Sequence, residues 1–362
     1  MVSMYEERNL DFDNEIEGAK VEYKLGKADV TALWGTRKDR DEPRHSEIAA
    51  ARVEVPIGEH LDVGVHAGQV EFPYEYATPE DPMVLEYDLY GATAQWRQGP
   101  FTAYAETVKL ERPAVEYGDA IWDVSGDDGR GHYLNLGFNK SRFAFTAEYK
   151  DYKGIAQPFS VLPPVRKWQE QASADPLDDK GYLYEAQWSP FGNNSFFEFS
   201  YGQGNTHEKG NPHTEFGAIY HSPATDRTSY VLEYWKVNHL FQHHTISKLD
   251  VTQRLNNSWT ANGVYEHEKI HDEFTDPYLD SKYIAEIAYR SLVNLIYTRE
   301  ETDNEFSDDR EWDLWEMKFK PDERQEFNVL IGSRREGFVC SGGVCRLEPA
   351  FDGVKIDYLL RF

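Results

Sequence analysis

The C-terminal stretch VKIDYLLRF, Val354 to Phe362, decides the reading of this chain. Val354, Ile356, Tyr358, Leu360 and Phe362 fall on every second position, with Lys355, Asp357 and Arg361 among those between. Side chains alternate faces in a strand and return only every third or fourth position in a helix, so this is a strand with one apolar and one polar face. The same period runs back through the chain. Phe143, Phe145, Ala147 and Tyr149 alternate with Ala144, Thr146, Glu148 and Lys150; Tyr182, Tyr184, Ala186 and Trp188 alternate with Leu183, Glu185 and Gln187. Shorter runs include Ala19 to Leu25, Leu61 to Gly68, Tyr283 to Tyr289 and Phe327 to Ile331.

Connections between these runs alternate in length. Short ones fall near Gly26, Pro56 to His60, Gln98 to Pro100, Lys140, Ser189 to Asn194, Ser222 to Asp226, Leu255 to Ser258, Arg290 and Lys320 to Arg324. Long ones lie between them: Arg37 to His45, Phe72 to Pro82, Arg112 to Arg130, Tyr152 to Lys180, Gly204 to Asn211, Ile270 to Leu279, Glu300 to Asp309 and Arg335 to Asp352. An up-and-down transmembrane β-barrel has this rhythm, with short periplasmic turns and long outer loops. In hydrocarbon an open sheet edge leaves backbone groups unsatisfied, so the sheet must close and each strand must keep one apolar face. The expected fold is therefore all-β: one antiparallel barrel domain over residues 1–362, of about 18–20 strands.

The final strand resembles the C-terminal signature of bacterial outer-membrane barrels, in which alternating apolar residues end on an aromatic residue that the barrel assembly machinery reads. Val354, Ile356, Tyr358, Leu360 and Phe362 occupy those positions. The resemblance implies a Gram-negative outer membrane, with outer-membrane lipids and lipopolysaccharide as surroundings. The preceding segment, RREGFVCSGGVCRLEPAFDG from Arg334 to Gly353, resembles the closing segment of an uncharacterised family of Bacteroidota barrels. Members of that family begin upstream of this Met1, which implies that early strands are absent here. The start, MVSMYEERNLDFDNE, has neither a basic region nor an apolar core of a signal peptide, so a processed or truncated N-terminus is expected.

Composition fits this frame. With 64 acidic against 38 basic residues the chain carries −26, and a nucleic-acid surface needs a concentrated basic stripe that is not visible here. No stretch approaches the about 18 apolar residues of a membrane helix. The mean hydropathy of −0.70 is no objection, because only alternate strand residues face lipid.

Residues opposite the apolar positions are expected to line the interior: Lys20, Glu22, Lys24, Arg52, Glu54, Asp88, Glu148, Lys150, Glu185, Glu286, Arg290 and Lys355. Mixed charges across a lumen filter ions or small polar solutes, or fill the interior with ion pairs. The expected function is a porin-like channel for passive passage of small polar solutes or ions. Alternatives are a non-conducting barrel that binds a periplasmic or surface protein partner and, more remotely, a zinc hydrolase. The last rests on HEKIH, His267 to His271, which fits H-E-x-x-H, with Glu305 as an imaginable third ligand. That motif needs a helix to put both histidines on one metal. Here it continues the strand pattern Trp259, Ala261, Gly263 and Tyr265, in which positions i and i+4 are about 13 Å apart. No catalytic site and no cofactor are expected.

Cys340 and Cys345 are the only cysteines, with Ser-Gly-Gly-Val between them. Two glycines let the chain turn back, and an oxidising compartment would join the sulfurs. The acidic clusters around Asp39, Glu80, Asp119 and Glu300 read as solvated loops, with bridging of divalent cations to lipopolysaccharide phosphates as the alternative. His239, His243 and His244 read as a polar connection. Tyr23, Trp34, Trp96, Tyr149, Trp188, Tyr201, Tyr220, Trp259, Tyr289 and Trp315 are placed to form aromatic girdles.

Overall fold

A computed structural model describes residues 16–38, 45–73, 84–111, 128–153, 179–191, 194–207, 212–222, 225, 227–239, 241–272, 276–290, 292–307, 309–322, 324–335, 337–341, 344–348 and 350–360. These residues are almost wholly β. Nineteen strands belong to one sheet and two more form a separate hairpin, in agreement with the all-β, antiparallel, up-and-down architecture expected from the alternation.

The chain divides into two compact units. The first, Met1–Tyr184 with Gly202–Pro212, contains β1 (Ile16–Leu25), β2 (Ala28–Lys38), β3 (His45–Ile57), β4 (Leu61–Pro73), β5 (Val84–Gln98), β6 (Phe101–Glu111), β7 (Gly129–Lys140) and β8 (Phe143–Lys153). Each pairs antiparallel with the next. The division runs through β9 (Asp179–Trp188) and β10 (Phe196–Thr206).

The second unit, Glu185–Tyr201 with His213–Phe362, contains β11 (His213–His221), β12 (Thr228–His239), β13 (Gln242–Arg254), β14 (Trp259–Asp272), β15 (Tyr278–Tyr289), β16 (Val293–Thr302), β17 (Glu311–Asp322) and β18 (Gln325–Arg334). After β18 the chain makes the hairpin of β19 (Gly337–Ser341) and β20 (Val344–Glu348), then returns as β21 (Phe351–Leu360) beside β18. From β11 to β18 each strand again pairs antiparallel with its successor.

Short turns require backbone that right-twisted strands can close, which means φ > 0. Gly26 (φ 64°) and Gly99 (φ 59°) supply it at no side-chain cost. Arg290 takes φ 52° in the turn after β15, which fixes its role. Expected both in a short connection and on the interior face, it is a turn residue: its amide donates to the Ser258 carbonyl at 2.7 Å and its guanidinium stacks on Tyr289 at 5.5 Å. β12 and β13 join through residues 240–241, with His239 opposite Gln242. The histidines read as a polar connection therefore lie in strands: His239 ends β12, and His243 and His244 open β13.

Large apolar side chains stand on the exposed face of most strands, while the opposite face mixes buried charged and polar groups with apolar ones. Outward positions carry Val21, Trp34, Val65, Phe101, Trp188, Leu232, Ile287, Trp315 and Ile356, each between 44% and 68% exposed. Inward positions carry His66, Glu106, Glu148, Lys150 and Glu215, each 4% exposed or less.

Candidate functional site: the inward polar faces

In the first unit the inward side chains of β4, β6, β7 and β8 interlock. Tyr104 donates its hydroxyl to Glu106 Oε2 at 2.7 Å, and His66 Nε2 lies 3.6 Å from Glu106 Oε1. On the neighbouring strands Glu148 accepts from the Tyr133 hydroxyl at 3.0 Å and from Asn135 Nδ2 at 2.8 Å, while its other oxygen meets Lys150 Nζ at 2.9 Å. The charged side chains are 2% exposed or less. Groups so buried need partners; Glu148 has them in three bonds to its carboxylate, whereas neither ring nitrogen of His66 makes a hydrogen bond among the described residues. Gly91 stands opposite His66 in the ladder, and its missing side chain is what admits the imidazole: a Cβ there would lie 2.1 Å from Nε2.

The second unit organises its inward face by register. Glu233 faces Lys248, Lys248 faces Glu266, Glu266 faces Lys282 and Lys282 faces Glu300, giving a row of alternating charge across β12 to β16. Lys282 and Glu300 are 2.6 Å apart and Lys248 and Glu233 3.8 Å. Toward the short turns the next row is Val231, Asp250, Val264, Ile284, Thr298 and Leu314, and the one after it returns to polar groups with Asn262, Glu286 and Glu316. A cavity of about 280 Å³ opens on this face, lined by Lys282, Glu286, Glu300, Trp312, Glu316 and Arg334 among others. At its long-loop side Arg335 pairs with Asp280 at 2.8 Å and lies over the Trp312 ring at 5.8 Å. Burial disfavours the Arg335 charge, but the bond to Asp280 outweighs it and holds the guanidinium pKa above its ordinary value.

Of the residues expected inside, Arg52, Glu54, Glu148, Lys150, Glu185 and Glu286 lie on inward faces and are buried or half-buried. Lys20, Glu22 and Lys24 of β1 share the face of Leu33 through the β1–β2 register, and Lys355 faces Leu330; all four are well exposed and ion-paired, as in Lys20 to Glu22 at 2.5 Å and Lys355 to Asp357 at 3.2 Å. Asp88 is on the opposite face. It alternates in phase with the outward Tyr90, Ala92 and Trp96, while Leu89 packs inward against the Tyr104 and Tyr133 cluster. The inward His66, Glu106, Lys248, Glu266, Lys282 and Glu300 were missed. The turn Leu255 to Ser258 fixes Lys248 opposite Glu266 and was the one available signal.

HEKIH is split by its strand. His267 and His271 point outward with Tyr265, and Glu268 points inward, where it accepts from His244 Nδ1 at 2.7 Å. No group of three or more metal-ligating side chains occurs among the described residues. Cys340 and Cys345 are direct register partners in the β19–β20 hairpin, and their side chains lie outside the described residues. Phe362 also lies outside them; Val354, Ile356, Tyr358 and Leu360 form the outward face of β21, with Tyr358 stacked on Phe327 at 4.5 Å.

A family model described as a family of unknown function, DUF6029, matches residues 2–158 and 291–362. The chain belongs to this family. The match includes the buried cluster of the first unit, most of the cavity wall and the final strand, and it omits residues 159–290, which hold β9 to β15. No curated protein matches the sequence. Among solved structures the chain is similar to the siderophore receptor PirA of Acinetobacter baumannii, at 7% identity and TM-score 0.42, covering 96% of this chain and 72% of that one. It is also similar to the FrpB iron transporter of Neisseria meningitidis (11%, TM-score 0.41, 98% and 74% covered) and to a porin mutant of Rh. blastica (10%, TM-score 0.34, 83% and 100% covered).

Proposed function

We propose that this protein is an outer-membrane β-barrel whose charged inner face passes small polar solutes or ions. The observation that carries the reading is the inversion of the strand faces. Leu, Ile and Trp left half exposed in water forgo about 1 kcal/mol each, whereas Glu148, Lys150 and Glu106 are almost fully buried. Such a polarity is stable only where the outer solvent is apolar.

Two rows of outward aromatics support the same reading. Near the short turns Phe101 meets Phe138 at 5.0 Å, Phe197 meets Tyr220 at 4.7 Å and Trp259 meets Tyr289 at 4.9 Å. Six residues farther along the strands Tyr149 meets Tyr182 at 5.1 Å and Tyr265 meets Tyr283 at 5.0 Å. Amphipathic rings concentrate at membrane interfaces, and small or aliphatic side chains such as Ala261, Ala285 and Ile287 fill the interval.

The charge row and the open cavity favour a conducting interior, since alternating fixed charges bind permeant ions weakly at several successive points. The tightly buried cluster of the first unit favours the second reading, a closed barrel that serves a partner. Two measurements test the proposal. A heat-dependent mobility shift of membrane extracts on a gel is expected for a closed barrel, and recovery without detergent and without a shift refutes it. Stepwise, salt-dependent currents in a planar bilayer are expected for a channel, and silence of heat-modifiable protein selects the closed barrel.

A further inference from the structure

We propose that the outward face of β12 to β14, at the long-loop end, binds the phosphate groups of an anionic outer-leaflet glycolipid, of the kind carried by lipid A. The inference rests on the membrane reading above and adds a ligand and a site to it. Lys236 is the register partner of Thr245, and Thr245 is the partner of Lys269. The two lysines thus flank a hydroxyl on one row, their backbones about 10 Å apart, a gap that two long side chains can close on one phosphate. The next row toward the long loops carries Asn238, His243 and His271. The His243 and His271 rings are 6.3 Å apart, and His243 Nδ1 donates to Asn238 Oδ1 at 3.0 Å, which fixes that ring. Ser247 and His267 are partners on the row below.

Charge sorting sets this patch apart. In a chain with 64 carboxylates, every Asp and Glu of β11 to β15 lies on the inward face, Glu233, Glu266 and Glu268 among them. Several other outward cations near the long loops are tied to carboxylates, Lys109 to Glu111 at 2.5 Å, Lys180 to Asp151 at 3.3 Å and Arg299 to Glu311 at 3.1 Å, while Arg130 and Lys153 share the row of Lys109 and its carboxylate Glu111. Lys236 and Lys269 are exposed and have no ion pair among the described residues. Their height is also right for headgroups. Lys269 lies ten positions beyond Trp259, which at the usual rise and strand tilt is about 25 Å along the membrane normal, the height of an apolar band. Unpaired cations at that edge, above the Tyr265 and Tyr283 rings, meet phosphate rather than acyl chain or bulk water.

The test titrates fluorescent diphosphoryl lipid A into the detergent-solubilised full chain, with the dephosphorylated lipid as comparison and the gel heat shift recorded for each variant. Wild type is expected to prefer the phosphorylated lipid, and K236Q/K269Q to bind it about 30-fold more weakly. H243Q/H271Q is expected to weaken it less, and K27Q, at the short-turn end, to leave it unchanged. Equal affinity of wild type for both lipids overturns the proposal, as does undiminished binding by heat-modifiable K236Q/K269Q or an equal loss in K27Q. Absence of any heat shift in wild type refutes the membrane reading itself and is read independently of lipid affinity.

Discussion

Replacing Gly91 by alanine tests the packing of the first unit's interior directly. The new methyl would sit 2.1 Å from His66 Nε2 and 2.4 Å from Cε1, far inside contact distance. The imidazole has no exposed surface and stands 3.6 Å from Glu106 Oε1, so it can yield only by pressing into the carboxylate that Tyr104 already holds. Overpacking of this kind costs about 1–3 kcal/mol. The alanine itself has ordinary strand geometry at this position, so the penalty belongs to the contact with His66. Removing the imidazole in H66A empties the space, and G91A added to H66A should then cost little, giving an interaction energy of about 1–2 kcal/mol that relieves strain. The assay is urea unfolding of refolded protein in detergent, followed by loss of the heat-modifiable form and by tryptophan fluorescence. A G91A variant within about 0.5 kcal/mol of wild type, or an equal penalty in the H66A background, would refute the argument.

Reversal of ladder charge in K248E/K282E should shift a conducting channel toward cations, measured as a change in reversal potential across a salt gradient; an unchanged potential removes the ladder from the ion path. Ile356→Lys on the outward face of β21 should lower stability by about 2–4 kcal/mol if the site lies at mid-membrane, and Lys355→Ile by much less, both read by urea titration. The Cys340 and Cys345 backbones face each other directly, where partner Cα atoms are about 4.5–5.5 Å apart. Thiol titration of protein from an oxidising compartment should therefore find no free sulfhydryl, and C340S/C345S should cost global stability no more than about 2 kcal/mol, because so small a ring restricts the unfolded chain less than a long one. Metal analysis should find no stoichiometric zinc, and E268Q should change no hydrolytic rate; a zinc-dependent activity lost in E268Q would restore the HEKIH reading.

Strand identity was legible because alternation is a local property of the sequence, and Gly26 and Gly99 announce their turns. The β12–β13 reversal was legible only as a polar stretch around His239, His243 and His244 and not to the residue, because its tip, Leu240 to Gln242, has none of the Gly, Asn or Asp residues that mark a tight turn. Asp88 was placed inside on polarity alone; in EYDLYG both neighbours are apolar, and only the inward packing of Leu89 shows which phase holds. Arg290 is polar because it caps a turn. The ladder from Glu233 to Glu300 was beyond reach for a different reason. Each of its charges sits on a separate strand, and a one-residue change of register at any turn would dissolve the row.

The inverted faces also bear on how the chain travels before it folds. Read along one dimension, apolar and polar residues cancel at every step, and the unpaired polypeptide presents no segment that a bilayer would retain as a helix. Hydrophobicity exists here only as a two-dimensional quantity, created when neighbouring strands register and sort Leu232, Leu249, Tyr265 and Tyr283 onto one side. A polymer with this property can cross one membrane unrecognised and commit to another only as its sheet forms, so pairing and insertion become a single event.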